Sequence, residues 1–231
     1  VIDLTSVVMG PLGTQMLADL GADVIAIEAA LGDANRHMGT GPHPELSGVA
    51  LNLLRNKRSI VLDLRDEAGY EALLRLVSSA DVFVTNLRPG SRARARITRD
   101  DLAIARPDLV WCAAAGYPTD SERADDAAYD DIIQAAAGLV DVAERSGLPP
   151  VLSPTLLVDK VCGMALAQAV TAISGEDMEK VMRVAQTLKI PFDLVLRTLV
   201  RGKPFMAFFH QACSTQSFTF HKRRTMCWPR T

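Results

Sequence analysis

Cysteine is scarce in this 231-residue chain and never closely paired. The sequence has four cysteines and no C-x-x-C motif; they stand at positions 112, 162, 213 and 227. Widely separated cysteines are typical of a reducing compartment, so we expect a cytoplasmic protein. Long apolar runs are missing too, since none approaches the roughly 20 residues that a membrane span requires, and no charged-then-apolar leader is visible. The sequence therefore predicts a soluble protein with no membrane partner.

Excess charge of either sign is also lacking. The 25 Lys and Arg residues nearly balance the 27 Asp and Glu residues, which leaves a net charge of −2. A near-neutral chain is unsuited to general polyanion binding, so nucleic acid is not an expected partner. Metal-ligand spacing is absent as well, because His37 and His43 share a loop without a cysteine or acid at the right distance. We expect no metal cofactor.

The glycine fingerprint of dinucleotide-binding proteins is the third absence. The loop Val7-Val8-Met9-Gly10-Pro11-Leu12-Gly13 follows a strand pattern and opens a helix pattern, yet it lacks G-x-G-x-x-G. Pro11 also removes one N–H donor from any phosphate-binding cradle. A dinucleotide-binding Rossmann protein is therefore disfavoured, because tight NAD binding relies on those glycines.

What the chain does contain is an alternation of short apolar runs and amphipathic helical patterns. Strands are expected at residues 1–4, 22–28, 59–64, 82–84 and 109–113, and helices at 11–20, 66–78, 100–105, 129–140 and 159–172. This order predicts an α/β fold with a Rossmann-like, doubly wound, mostly parallel sheet, incomplete because a second domain is missing. Such sheets bind ligands at the carboxyl ends of their strands.

The pattern changes near residue 173. We expect one domain at 1–172 and, at 173–231, a helical extension followed by a poorly patterned tail. A helix at 177–189 is conceivable from its spacing, but residues 213–231 have no consistent period. The tail is interpreted as truncated or frame-shifted sequence rather than a core element.

Asp159 is the candidate reactive residue. It follows an apolar stretch and stands at the expected start of a helix rich in small residues. Free N–H groups and the helix dipole would orient its carboxylate and keep it ionised, which suits a nucleophile. The alternative is that Asp159 simply caps the helix, as Asp commonly does.

Basic residues follow several of the expected strand ends. They include Arg36, Arg58, Arg65, Arg88 and Arg94. A parallel sheet would gather them around one crevice, where guanidinium groups could bind the phosphates of a multiply phosphorylated ligand.

The first ~170 positions resemble the class III coenzyme A transferases of the CaiB/BaiF type, which have the α-methylacyl-CoA racemases as relatives. The matching segments are Gly10-Pro11 with Thr14-Gln15, Leu17 to Ile25, Gly32-Asp33 to Arg36, Asn56 to Ile60 with Leu62-Asp63-Leu64, Asn86 to Gly90, Tyr129-Asp130 with Gln134-Ala135 and Gly138, and Val158-Asp159.

The resemblance implies that Asp159 is the catalytic aspartate, which takes CoA from an acyl-CoA to a carboxylic acid through a covalent intermediate. It implies a CoA site, with contacts at Val7, Arg36, Leu62, Arg65, Asn86, Leu87, Arg94 and Tyr129. Family members form interlocked homodimers.

Two alternatives stay open. The racemase relatives carry a histidine where this chain has Tyr129, and a phenol is a poor general base at neutral pH, so a racemase-like activity is disfavoured. The chain could also be an inactive fragment that binds CoA or a partner chain.

Overall fold

The computed structural model describes residues 1–174 and 217–221. It contains the strands β1 (Ile2–Leu4), β2 (Val24–Glu28), β3 (Lys57–Val61), β4 (Val82–Thr85), β5 (Val110–Ala115) and β6 (Ser217–His221). They form one sheet in the order β3-β2-β1-β4-β5-β6. The first five strands are parallel, and β6 runs antiparallel to β5. This confirms the expected α/β, Rossmann-like, mostly parallel sheet.

Helices connect the strands and cover the sheet. They are α1 (Met9–Asp19), α2 (Gly48–Leu53), α3 (Glu67–Ser78), α4 (Pro89–Arg94), α5 (Arg99–Ala103), α6 (Asp130–Ala136), α7 (Leu139–Arg145) and α8 (Leu157–Ser174), with a 3₁₀ turn at Ala34–His37. The capping of α5 is complete in both directions, because Thr98 and Asp101 each bond the other's backbone N–H.

Both faces of the sheet are buried. Side chains alternate along β4, so Val82 and Val84 join one apolar cluster with α1 and α8, while Phe83 joins a second cluster with α3 and α5. On β5, Cys112 and Trp111 divide between the two clusters in the same way. Strands buried on two faces read as continuous apolar runs, which explains why the sequence revealed them.

Helices α1 and α8 approach each other closely because glycines face each other at the crossing. A Cβ atom on Gly163 would lie 2.8 Å from the carbonyl oxygen of Met9, and one on Gly13 would lie 2.9 Å from the oxygen of Gly163. Neither distance is tolerable between real atoms. The small residues thus set the separation of the two helices and hold the start of α8 near the end of β1.

The strand order reverses between β1 and β4, since β2 and β3 lie on one side of β1 and β4 and β5 on the other. At this switch point the two strand ends are tied together. Asn86 accepts a hydrogen bond from the Ser6 N–H at 3.0 Å and donates one to the Ser6 carbonyl at 2.7 Å. Open α/β sheets bind ligands in the crevice beyond such a point.

Three sequence expectations need correction. Within the tail, Ser217–His221 forms the edge strand β6, so this short piece is part of the sheet. The helix expected at 129–140 is two helices, because Gly138 adopts a left-handed conformation with φ of 79°. No helix was expected between residues 28 and 59, yet this part of the chain contains the 3₁₀ turn and α2. The helix considered at 177–189 lies outside the described residues.

Candidate functional site

Asp159 is the third residue of α8 and is buried, with 8% of its surface exposed. It lines an open cavity of about 620 Å³. The apolar walls of this cavity are Val7, Val8, Met38, Leu152, Pro154 and Leu156, and its polar lining consists of Tyr129, Asp130, Asp131, Gln134, Ser153, Thr155 and Asp159. The cavity therefore joins the end of β1 to the starts of α6 and α8.

A second buried acid, Asp130, stands beside Asp159. It is the first residue of α6, and its Oδ1 accepts a hydrogen bond of 2.8 Å from the backbone N–H of Asp159. Asp130 thus satisfies one of the free N–H groups in the first turn of α8. The cap of this helix is supplied from 29 residues earlier in the chain.

Gln134 completes this arrangement one helical turn after Asp130. Its side-chain Nε2 donates to Asp130 Oδ2 at 2.5 Å and to the Thr155 carbonyl at 3.3 Å. Its Oε1 accepts from the Ser153 N–H at 2.7 Å. Asp130 and Gln134 are 4% and 2% exposed, so the hydrogen bonds between their side chains are shielded from solvent.

The electrostatics of Asp159 differ from the sequence expectation. Burial, and secondarily the neighbouring carboxylate of Asp130, raise the pKa of Asp159 to about 6. The sequence predicts that the helix dipole keeps Asp159 ionised, but burial and a second acid oppose its ionisation instead. Asp159 is mostly ionised at neutral pH only because the pKa remains below 7.

Val7 lies on the opposite wall of the cavity in a strained conformation. Its φ is 68°, in the left-handed region that a β-branched residue rarely adopts, and such strain costs on the order of 1–3 kcal/mol. The carbonyl of Val7 accepts a hydrogen bond of 2.5 Å from the side chain of the fully buried Asn35. This bond helps to hold the strained turn, which re-aims the backbone at the end of β1.

The arginines do not form the crevice that the sequence suggested around Asp159. None of the residues that line its cavity is an arginine or lysine in the described part of the chain. Arg36 instead pairs with Glu28 through two bonds of 2.6 and 2.5 Å. The Arg36 guanidinium, with Ser59 and the Asp33 N–H, lowers the pKa of Glu28 to about 2.

Arg36 and Glu28 line a second, smaller cavity of about 290 Å³, together with residues of α2 and β3. Lys57 and Arg58 also line it, so positive charge is gathered there rather than at Asp159. The larger cavity thus lies beyond the end of β1, and the smaller one lies beside β2.

The other residues assigned to CoA binding lie along the same edge of the sheet. Leu62 and Leu87 follow β3 and β4, and both are half-buried against the α3 and α5 side of the core. Arg65 pairs with Asp63 at 2.7 Å and its side chain is 90% exposed. Arg94, also exposed, donates to the Ser91 hydroxyl.

Tyr129 is 62% exposed, precedes α6 and lines the Asp159 cavity. The structure therefore brings Val7 and Tyr129 together with Asp159 and places the arginines elsewhere. Asp130 and Gln134 were not assigned a role from the sequence. The signal was present, because residues four apart on a helix share a face.

This arrangement suits acyl transfer at a carboxylate. A buried acid with a raised pKa is more basic than an exposed one and is less hydrated, and it opens onto an apolar cavity large enough for an acyl chain. Within the described residues there is no group of three or more His, Cys, Asp or Glu side chains placed to hold a metal ion. Nor does any helix of that part of the chain have the length and apolarity to cross a membrane.

Comparison with known proteins gives a consistent result. The family model described as CoA-transferase family III matches residues 1–180. A probable fatty acyl-CoA transferase of Mycobacterium tuberculosis, Rv3272, is 34% identical over 174 residues, which cover 74% of this chain and 44% of that protein. Formyl-CoA:oxalate CoA-transferase of Escherichia coli is 34% identical over 168 residues, covering 72% and 40%. Human succinyl-CoA:glutarate CoA-transferase is 31% identical over 173 residues, covering 74% and 40%.

Solved structures agree with this fold. A crystal structure of Rv3272 superposes with a TM-score of 0.65 at 30% identity, covering 80% of this chain and 58% of that chain. A CaiB/BaiF family protein from Brucella suis gives a TM-score of 0.66 at 26% identity, covering 82% and 57%. The chain spans about two fifths of the length of the curated relatives it matches.

Proposed function

The chain belongs to CoA-transferase family III, and from that premise we propose that it carries the nucleophile of an enzyme that moves CoA from an acyl-CoA to a carboxylic acid. The observation that supports this most directly is the buried carboxylate of Asp159, which opens onto the apolar cavity at the switch point of the sheet. Two of the named relatives are CoA-transferases for glutarate and oxalate, which supports a carboxylic acid as the acceptor.

In the proposed reaction, the ionised Asp159 attacks the thioester carbonyl carbon. The C–S bond breaks, which gives a mixed anhydride on Asp159 and free CoA thiolate. The thiolate then attacks the Asp159 carbonyl carbon, releases the first carboxylic acid and leaves CoA on Asp159 as a thioester. The incoming carboxylate reverses these two steps and restores Asp159. Each step exchanges one acyl bond for another, so one difficult transfer is divided into easier ones.

Backbone N–H groups near the start of α8 would stabilise the oxyanion of each tetrahedral intermediate. Asp130 already accepts the N–H of Asp159 itself, so the donors must come from other groups around the cavity. The strained turn at Val7 is a candidate, because Val7 lines the same cavity.

For the CoA moiety we propose the residues along the carboxyl edge of the sheet. These are Val7, Arg36, Leu62, Arg65, Asn86, Leu87, Arg94 and Tyr129. The positive charge around Arg36 supports phosphate binding in the smaller cavity, although Glu28 neutralises much of it. Arg65 and Arg94 are exposed and could turn to a phosphate at little cost, since surface ion pairs such as Arg65–Asp63 contribute only about 0–1 kcal/mol. The interlocked homodimer and the cytoplasmic location belong to this same proposal.

The test is direct detection of the covalent intermediate. The chain is incubated with an acyl-CoA and digested, and mass spectrometry should find an acyl or CoA adduct on the Asp159 peptide that hydroxylamine removes. Asp159→Asn should show no adduct, whereas Asp131→Asn, which alters an exposed neighbouring carboxylate, should retain it. The absence of any adduct on Asp159, or an adduct that survives in Asp159→Asn, would contradict the proposal. Exchange of an α-proton in deuterated water without an acceptor acid would indicate the racemase-like alternative instead.

A further inference from the structure

Gln134 occupies an unusual position for a side chain with no part in the proposed reaction. It is 2% exposed, and its amide makes three hydrogen bonds, to one residue of its own helix and to two residues of a loop. One bond reaches Asp130 on its own helix, and two reach the loop that precedes α8, at Ser153 and Thr155. An amide is the side chain that offers a donor and an acceptor from one rigid group, and both kinds are used here.

We propose that Gln134 is a positioning residue for Asp159: it fixes the Asp130 carboxylate against the Asp159 backbone and holds the loop 153–155 over the nucleophile. This rests on the proposed function, in which Asp159 is the nucleophile. We assign Gln134 no direct part in the reaction, because its polar atoms already bind Asp130 and the loop.

The two oxygens of Asp130 have different partners, and this is what fixes the carboxylate plane. Oδ2 accepts from Gln134 and Oδ1 accepts from the N–H of Asp159. If the bond on Oδ2 is lost, the carboxylate is free to rotate about its bond to the rest of the side chain. The bond on Oδ1 would then be weakened, and the negative charge would no longer be held at one distance from Asp159.

The loop is held by the same amide. The Ser153 N–H and the Thr155 carbonyl are both bound by Gln134, and the two residues flank Pro154 on the wall of the cavity. Removing the amide would leave the part-buried Ser153 N–H and Thr155 carbonyl without these bonds, and the loop would be held less firmly beside Asp159. Burial of Asp159 would decrease as a result.

The charged and titratable groups that face Asp159 are few. Asp130, Asp131 and Tyr129 line the cavity from α6 and its start, and Lys160 follows Asp159 on α8 with its ammonium bonded to the Thr155 hydroxyl. Burial is the larger cause of the raised pKa of Asp159, and the charge of the Asp130 carboxylate is the second. Gln134 controls both of these causes, through the loop and through the Asp130 carboxylate.

The experiment is a carbon-13 NMR titration of the Asp159 side-chain carboxyl, which needs no turnover and so fails independently of the proposed function. The signal is assigned with Asp159→Asn. In Gln134→Met, which keeps the side-chain volume and removes all three bonds, the titration midpoint should fall by about 1 pH unit because burial and the fixed charge both weaken. In Gln134→Glu the midpoint should instead rise, since a third carboxylate joins the same buried cluster.

Opposite shifts in the two variants distinguish positioning from mere structural support. Damage to packing alone would move the midpoint in the same direction in both, and this outcome would overturn the proposal. A midpoint that stays at its original pH in Gln134→Met, with the fold intact by circular dichroism, would overturn it as well. Gln168→Met is the matched control, because Gln168 is exposed on α8, and it should leave the midpoint unchanged.

Backbone hydrogen exchange gives a second readout in the same samples. The N–H groups of Ser153 and Asp159 should both exchange faster in Gln134→Met, the first through direct loss of its acceptor and the second through the freed Asp130. Faster exchange at Ser153 with full protection at Asp159 would refute the link through Asp130.

Discussion

Replacing Asp159 by asparagine should make the chain more stable at high pH and should not do so at low pH. The side chain is 8% exposed, and its pKa is raised from an ordinary value of 3.8 to about 6 by burial and by Asp130. A pKa raised by this amount corresponds to about 3 kcal/mol of unfavourable interaction with the ionised form. Asparagine keeps the size of the side chain and removes the charge.

The direction follows from proton binding in the two states. Between about pH 4 and pH 6 the folded chain holds a proton on Asp159 that the unfolded chain has released. Stability contributed by this residue is therefore fully present below about pH 4, falls as the pH rises through about 6, and is constant above about pH 7. The asparagine variant lacks this dependence. Its stability relative to the native chain should increase by about 2–3 kcal/mol between pH 4 and pH 8.

Urea unfolding followed by far-ultraviolet circular dichroism at pH 4.5, 6 and 8 would measure this difference. Other carboxyl groups with shifted pKa values, such as Glu28, are common to both chains and cancel in the comparison. Asp120→Asn serves as control, because Asp120 is exposed and does not line the Asp159 cavity, and its effect should stay within about 0.5 kcal/mol at every pH. The reasoning would be refuted if the difference in free energy of unfolding between Asp159→Asn and the native chain did not depend on pH, or if the advantage of the variant decreased as the pH rises.

Two further predictions concern the scaffold that holds the site. Lys57→Met should destabilise the chain by about 3–5 kcal/mol in urea unfolding, because the buried ammonium bonds Asp3 at 2.9 Å and its loss leaves that carboxylate uncompensated. Arg58→Met breaks an exposed ion pair and should cost at most about 1 kcal/mol. Equal costs for the two variants would contradict this prediction. Gly163→Val should lower the free energy of unfolding by about 1–3 kcal/mol, since a Cβ atom there meets the α1 backbone at 2.8 Å. Gly48→Ala is the control and should be nearly neutral, because its added Cβ atom meets its nearest neighbour at 3.7 Å. A Gly163→Val variant as stable as the native chain would show that the helices can separate freely.

The sheet was predictable from the sequence because its strands and main helices are encoded locally. Strands β4 and β5 are buried on both faces and therefore appear as uninterrupted apolar runs, and α3 begins and ends within one residue of its expected bounds. The edge strand β6 could not be recognised in this way. Its five residues, Ser217-Phe218-Thr219-Phe220-His221, do alternate between polar and apolar side chains, but the run is short and its partner strand β5 lies more than 100 residues earlier in the chain.

The position of Asp159 at a helix start was predictable from the sequence, and the contacts around it were not. Asp159 stands out because a single acid follows an apolar stretch at a helix start. The bond from its N–H to Asp130 spans 29 residues, and the left-handed turn at Val7 depends on a bond from Asn35. Contacts of this kind are set by how α6 packs on α8 and by how the loop after β2 folds back. They have no signature within the segment where each residue lies.

The raised pKa of Asp159 shows which physical effect dominates at this helix start. The helix dipole favours the ionised acid by about 0.3–1 kcal/mol, which would lower its pKa. Burial and the Asp130 carboxylate disfavour the ionised acid by about 3 kcal/mol, so they outweigh the helix dipole and the pKa of Asp159 is raised. With a pKa of about 6, roughly nine in ten Asp159 side chains are ionised at pH 7, and each is a stronger base than an exposed aspartate. For the attack on a thioester proposed for Asp159, burial thus increases nucleophilicity while leaving enough of the reactive form, a balance that the dipole alone would not produce.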